Sequence, residues 1–157
     1  MAHSSLRPLL LLLEHAQEQR DQALAQRQRA DVQLMQGRQQ QAQLDDYRRD
    51  CDARWQGEFR QGVAVTVLQG YHEFVGRLQT AMQMHEQQVA RLEQDSGSAA
   101  AALMAAELKL ASVRKLLERR QMALQQQAER AEQKQMDEMA ARAGQYLCSG
   151  ADSLHSD

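Results

Sequence analysis

The strongest regularity in the chain is a stripe of apolar side chains that steps alternately by three and four residues. It starts at Leu68 and passes Tyr71, Val75, Leu78, Met82, His85, Val89, Leu92, Ser96, Ala99, Leu103, Ala106, Leu110, Val113, Leu117, Arg120 and Leu124. Fourteen of these 17 positions are apolar. A mean spacing of 3.5 held over this length keeps one helix seam facing a partner helix, as a coiled coil requires. A weaker stripe precedes it, through Leu13, Ala16, Arg20, Ala23, Arg27, Ala30, Leu34, Gly37, Gln41, Leu44, Arg48, Cys51 and Trp55, with eight of 13 apolar.

Between the stripes, Gly57 and Gly62 flank a short stretch that leads into Val63-Ala64-Val65-Thr66. Two glycines beside a β-branched cluster predict the turn, with Thr66 as the cap of the second helix. Ser5 is the expected cap of the first helix, with Pro8 in its first turn. Gly144 is the expected stop of the second helix, and residues 144–157 read as a loose tail. The prediction is therefore an all-α chain, one coiled-coil domain over 1–157. It comprises a helix over about 6–58, a turn over about 59–65 and a helix over about 66–143. Asp95-Ser96-Gly97-Ser98 is a second candidate break. The stripe crosses it without losing phase, which favours one weakened but continuous helix over a three-helix arrangement. Folding back about residue 62 gives an antiparallel two-helix hairpin. Residue 6 then meets about residue 118, and Arg119 to Ala143 overhang without an intramolecular partner.

Composition explains why the seam is narrow. Leu, Val, Ile and Phe supply only 29 of 157 residues, and Ile is absent. A low apolar share with high net charge reads as disorder, but the net charge is only −2. Gln (26) and Ala (24) dominate instead, and both suit helices. One Pro and 4% aromatic residues argue against sandwiches, barrels and parallel sheets. The apolar run Leu9 to Leu13 is too short for a membrane span, which needs about 20 residues, and no small-residue cleavage site follows it. Cys51 and Cys148 lie far apart, so free thiols in a reducing compartment are expected.

Charge and motifs exclude several functions. The 16 Arg and 3 Lys are interleaved with acids and no basic block precedes the heptads, so no nucleic-acid partner is expected. No Gly-x-x-x-x-Gly-Lys-Ser/Thr is present, so phosphates of a nucleotide are not cradled. His72-Glu73 and His85-Glu86 lack the second His of a zinc motif, with Gly76 and Val89 in its place. Gln69 and Met82 stand where a helical di-iron site needs Glu. No enzyme activity, metal or cofactor is expected.

Near the turn there is more apolar surface than one seam uses. Phe74, Leu78, Ala81 and His85 form a second line beside the heptad stripe, and Gln40, Leu44 and Tyr47 form a line on the first helix. Hairpin pairing puts Leu44 and Tyr47 opposite residues 77–80. The joint patch either thickens the core or docks a partner, because a two-helix hairpin has no third layer to cover it.

Three segments give the chain its resemblance to a known family. They are Leu44-Asp45-Asp46-Tyr47; Tyr71-His72-Glu73-Phe74 with Leu78, Ala81 and His85; and Gln135-Met136-Asp137-Glu138-Met139-Ala140-Ala141-Arg142-Ala143. In order and separation they resemble FliJ, the coiled-coil protein of the flagellar type III export apparatus, over about residues 6–143. The resemblance implies a stalk like that of rotary ATPases. Its joined chain ends insert into the export ATPase ring and promote the hexamer. Its middle binds the cytoplasmic linker region of the export gate, and the protein binds empty export chaperones and helps recycle them. Residue by residue, Gln40, Leu44, Tyr47, Phe74, Leu78, Ala81 and His85 match the family's gate-binding lines. Met136, Asp137, Glu138, Met139 and Arg142 match its terminal motif. Cys51 stands where the family has Tyr, and Met139 where it usually has Phe. The implied location is cytoplasmic, peripherally at the inner membrane through the export apparatus.

Other readings fit the same pattern. A stalk from a virulence secretion system shares the architecture, as does a self-associating structural coiled coil. A membrane-surface scaffold would use Leu9 to Leu13 and nearby basic residues, but along the sequence acids and glutamines dilute that face.

Overall fold

The structure is a computed structural model that describes residues 2–152, with side chains over 4–151. Two helices make it up: α1 (Ala2–Phe59) and α2 (Val65–Asp152). They are in contact and run antiparallel, so the fold is the expected all-α coiled-coil hairpin with a longer second helix. No strand occurs among the described residues. The chain divides into two units, Gln17–Leu108 and the pair Met1–Ala16 with Lys109–Asp157.

In the unit Gln17–Leu108 the helices join through residues 60–64. The amides of Arg60, Gln61 and Gly62 donate back to the carbonyls of Gln56, Glu58 and Phe59, closing the last turn of α1. Gly62 has φ of +84°, the left-handed region where a side chain is strained. The carbonyl of Ala64 accepts from Val67 at 3.1 Å and Leu68 at 3.2 Å, so Ala64 holds the cap position. Thr66 therefore lies inside the first turn and is not the cap. α2 starts one residue earlier than expected because the backbone groups of its first turn are satisfied from Ala64.

The seam of this unit follows the stripes. Every α2 stripe position from Tyr71 to Ala106 is buried or half-buried. On α1 the stripe positions Ala23, Ala30, Leu34, Gly37, Gln41, Leu44, Cys51 and Trp55 are buried or half-buried, while Arg27 and Arg48 stay exposed. These two arginines turn to acids one turn on, Asp31 at 3.7 Å and Asp52 at 3.8 Å. Cross-helix pairs fix the register: Arg38 with Glu93 at 3.3 Å, and the Ser96 hydroxyl donating to Asp31 at 2.7 Å. α2 runs unbroken through Ser96-Gly97-Ser98.

In the second unit, Ala16, Leu110 and Val113 are buried together, with Leu13 packed on them. Further out, Leu9 and Leu6 on α1 and Leu117 and Leu124 on α2 are half-buried. From Gln125 to Ala151 every side chain is exposed. Both expected helix ends are corrected here. α1 begins at Ala2, so Ser5 is not its cap and Pro8 is its seventh residue, unable to donate to the Ser4 carbonyl. α2 continues to Asp152 and absorbs Gly144 and Gly150, so residues 144–152 of the expected tail are helix. A single interior glycine costs only about 0.5–1 kcal/mol, and Ala, Arg, Gln and Leu around Gly144 favour continuation. Residues 153–157 lie outside the described residues.

Candidate docking surfaces

The first surface lies in the unit Gln17–Leu108, where both helices contribute. Tyr47 is 50% exposed and meets Phe74 edge-on, with ring centroids 6.4 Å apart and planes at 76°. Leu44, Phe74 and Leu78 are half-buried, and Gln40 and Ala81 are exposed. Helical spacing brings Phe74, Leu78 and Ala81 to one side of α2. Leu78 serves both lines, since it is also a seam position. Beside it a recess of about 130 Å³ is lined by Arg48, Cys51, Asp52, Phe74, Val75, Leu78 and Gln79.

His85 behaves differently from the rest of its line. It is half-buried, and its Nε2 lies 2.9 Å from the carbonyl oxygen of Gly37. Nε2–H donates in this bond, since a carbonyl only accepts. Its ring thus ties the two helices together. Gly37 is itself buried, and a Cβ built there would lie 2.8 Å from Leu92 Cδ1. Gly37 looked like a gap in the α1 stripe; its lack of a side chain is what admits Leu92 and leaves its carbonyl reachable. Only the mismatch in the stripe signalled it.

Between this surface and the turn stands an aromatic cluster that the stripes did not single out as a unit. Trp55 and Tyr71 have centroids 4.7 Å apart, and Phe59 lies 5.4 Å from Tyr71. The Tyr71 hydroxyl donates to Asp52 at 3.3 Å. Burial, followed by the Asp52 bond and charge, raises the Tyr71 phenol above its ordinary value. The Tyr47 phenol is also raised, chiefly by its hydrogen bond with the Cys51 side chain. Cys51 and Cys148 are free thiols.

The second surface is the exposed end of α2. Met136 and Met139 are 68% and 70% exposed, and Tyr146 and Leu147 are 79% and 78% exposed. With Ala140 and Ala143 they recur at helical spacing and form one apolar line. Asp137, Glu138 and Arg142 occupy other faces, and Gln133 donates to Asp137 at 3.4 Å. Tyr146 and Leu147 lie beyond Gly144, whose glycine signals a helix stop along the sequence, whereas α2 continues through it. Among the described residues no group of His, Cys, Asp or Glu could hold a metal ion, and no helix is long and apolar enough to cross a membrane.

Comparison with known proteins places the chain in a family. The family model described as "Flagellar FliJ protein" matches residues 5–145. No curated protein and no solved structure matches the chain significantly.

Proposed function

Since this chain belongs to the FliJ family, whose members are components of flagellar-type protein export, we propose that it is the stalk of the export ATPase. In this reading the end of α2 enters the central opening of the hexameric ring and promotes its assembly. The middle of the hairpin docks on the cytoplasmic linker region of the export gate, and the protein helps recycle empty export chaperones. It works in the cytoplasm, peripherally at the inner membrane, and it acts on an ATPase without being an enzyme.

The observation that carries the stalk reading is the helix beyond Leu124. An isolated helix is marginal in water and is normally held by packing of an apolar face. Here an apolar line of Met136, Met139, Ala140, Ala143, Tyr146 and Leu147 is exposed. Such a line fits an apolar lining supplied by another protein. Methionine suits that role, as its flexible side chain fills irregular apolar gaps. For the gate contact, the supporting features are the Tyr47–Phe74 pair and the neighbouring recess.

Pull-down by the same organism's export ATPase tests the ring contact. The intact chain should be retained, and Met136→Asp with Met139→Asp should lose at least about tenfold in affinity, as expected when a buried apolar anchor is removed. Retention of the double variant at full affinity would place the contact elsewhere.

A further inference from the structure

We propose that the paired segments 2–16 and 109–124, which form part of the second unit, carry a binding surface for anionic lipid. This is independent of the stalk reading. Five cations, Lys109, Arg114, Lys115, Arg119 and Arg120, stand close together along α2, and helix pairing adds Arg7 from α1. Segments 2–16 and 109–124 hold Arg7, Lys109, Arg114, Lys115, Arg119 and Arg120 against only Glu14 and Glu118, a net charge of +4 in a chain of −2. Residues 17–108 have ten arginines against thirteen acids, and residues 125–157 have three cations against six acids. The pairing that brings residues 7–12 level with these cations is fixed by the Leu13, Ala16, Leu110 and Val113 cluster.

The same two segments also expose apolar side chains. Leu10, Leu11 and Leu12 are 47%, 59% and 40% exposed, and Leu116 and Met122 on α2 are 49% and 55% exposed. Leu10, Leu11 and Leu12 are consecutive, so at about 100° per residue they fan over more than half of the helix girth. No single groove of a rigid protein partner takes all three. A bilayer interface does, because it deforms around the helix and also meets the cations with its headgroups. Lys and Arg extend their stems along apolar surface while their charges stay with the phosphates. Charge complementarity therefore selects an anionic lipid surface over an apolar protein groove.

Flotation of the full-length chain tests this, with vesicles of phosphatidylcholine alone or with about one-third phosphatidylglycerol. The chain should float with the anionic vesicles, at least about tenfold better than with neutral ones, since each basic residue near the surface adds severalfold. High salt should weaken the binding. Two variants isolate the parts: Leu10→Gln with Leu11→Gln, and Lys115→Glu with Arg119→Glu. All four side chains are exposed, so circular dichroism should stay unchanged. Each pair should lose most of the binding. Equal binding to neutral vesicles, or anionic binding that survives both variants, would overturn the proposal. So would binding to soluble polyglutamate without vesicle binding, which would indicate an acidic protein partner instead.

Discussion

His85 on α2 reaches across the seam to Gly37 on α1, its Nε2 2.9 Å from the glycine carbonyl. The bond exists because residue 37 has no side chain to hold the helices apart. Leu92 fills the space that a Cβ would take. Substitution at Gly37 divides by size. Gly37→Ala gains helix propensity of about 0.5–1 kcal/mol, and the clashing atom is a terminal Leu92 methyl that rotates away. The net effect should be near zero. Gly37→Leu should overpack the seam and lower stability by about 1–3 kcal/mol. Denaturant melts of both variants check this, and an equally stable Gly37→Leu would contradict the close approach.

Two further glycines should respond in opposite directions. Gly62 sits at φ +84°, so Gly62→Ala should destabilise by about 1–2 kcal/mol. Gly144 lies within α2 with nothing within 4 Å of a built Cβ. Gly144→Ala should therefore raise helicity and stabilise the end of α2 by up to about 1 kcal/mol. Circular dichroism with thermal melts reads both. Loss of helicity in Gly144→Ala would favour a helix stop there.

The gate patch separates by exposure. Tyr47 is half-exposed, whereas Leu78 is a seam residue. Tyr47→Ala should weaken binding to the gate's linker region by at least about tenfold with little change in melting temperature. Leu78→Glu should impair both binding and stability. Unchanged gate binding by Tyr47→Ala, measured by calorimetry, would remove the docking role from this residue.

Tyr71 links stability to alkaline pH. Its phenol is raised above the ordinary value of 10.0, first by burial and then by Asp52. The folded chain thus holds this proton more tightly than the unfolded chain. The resulting stabilisation is complete below about pH 10 and is lost as pH rises through the folded value. Wild type should lose stability more steeply above pH 10 than Tyr71→Phe does. Parallel denaturant curves at pH 8 to 11 test the sign.

Much of the fold was legible in the pattern of apolar positions. The phase held across Ser96-Gly97-Ser98 predicted a continuous helix, and Ser96 holds its place by bonding Asp31. The ends were less legible because glycine and proline are only local signals. Gly144 signals a stop, yet its cost is small beside the propensity of its neighbours, and α2 continues through it. Residue type points to Thr66 as a cap, but the carbonyl of Ala64 already accepts the first helical bonds. For the surfaces, Met136 and Met139 were visible through their motif, but Tyr146 and Leu147 join their line only once the helix is continued. Arg114, Lys115 and Arg119 are neighbours along the chain, but their level against Leu10 to Leu12 is a product of pairing.

The central claim concerns the helix beyond Leu124. Its most direct test is the ATPase rate and assembly state of the same organism's export ATPase, with the intact chain and with a chain cut after Leu124. The cut preserves every half-buried seam position of α2. The account predicts that the intact chain promotes the hexamer and raises the rate, and that the cut chain does neither while still binding the gate. Equal stimulation by the cut chain would contradict it, and so would no effect from the intact one.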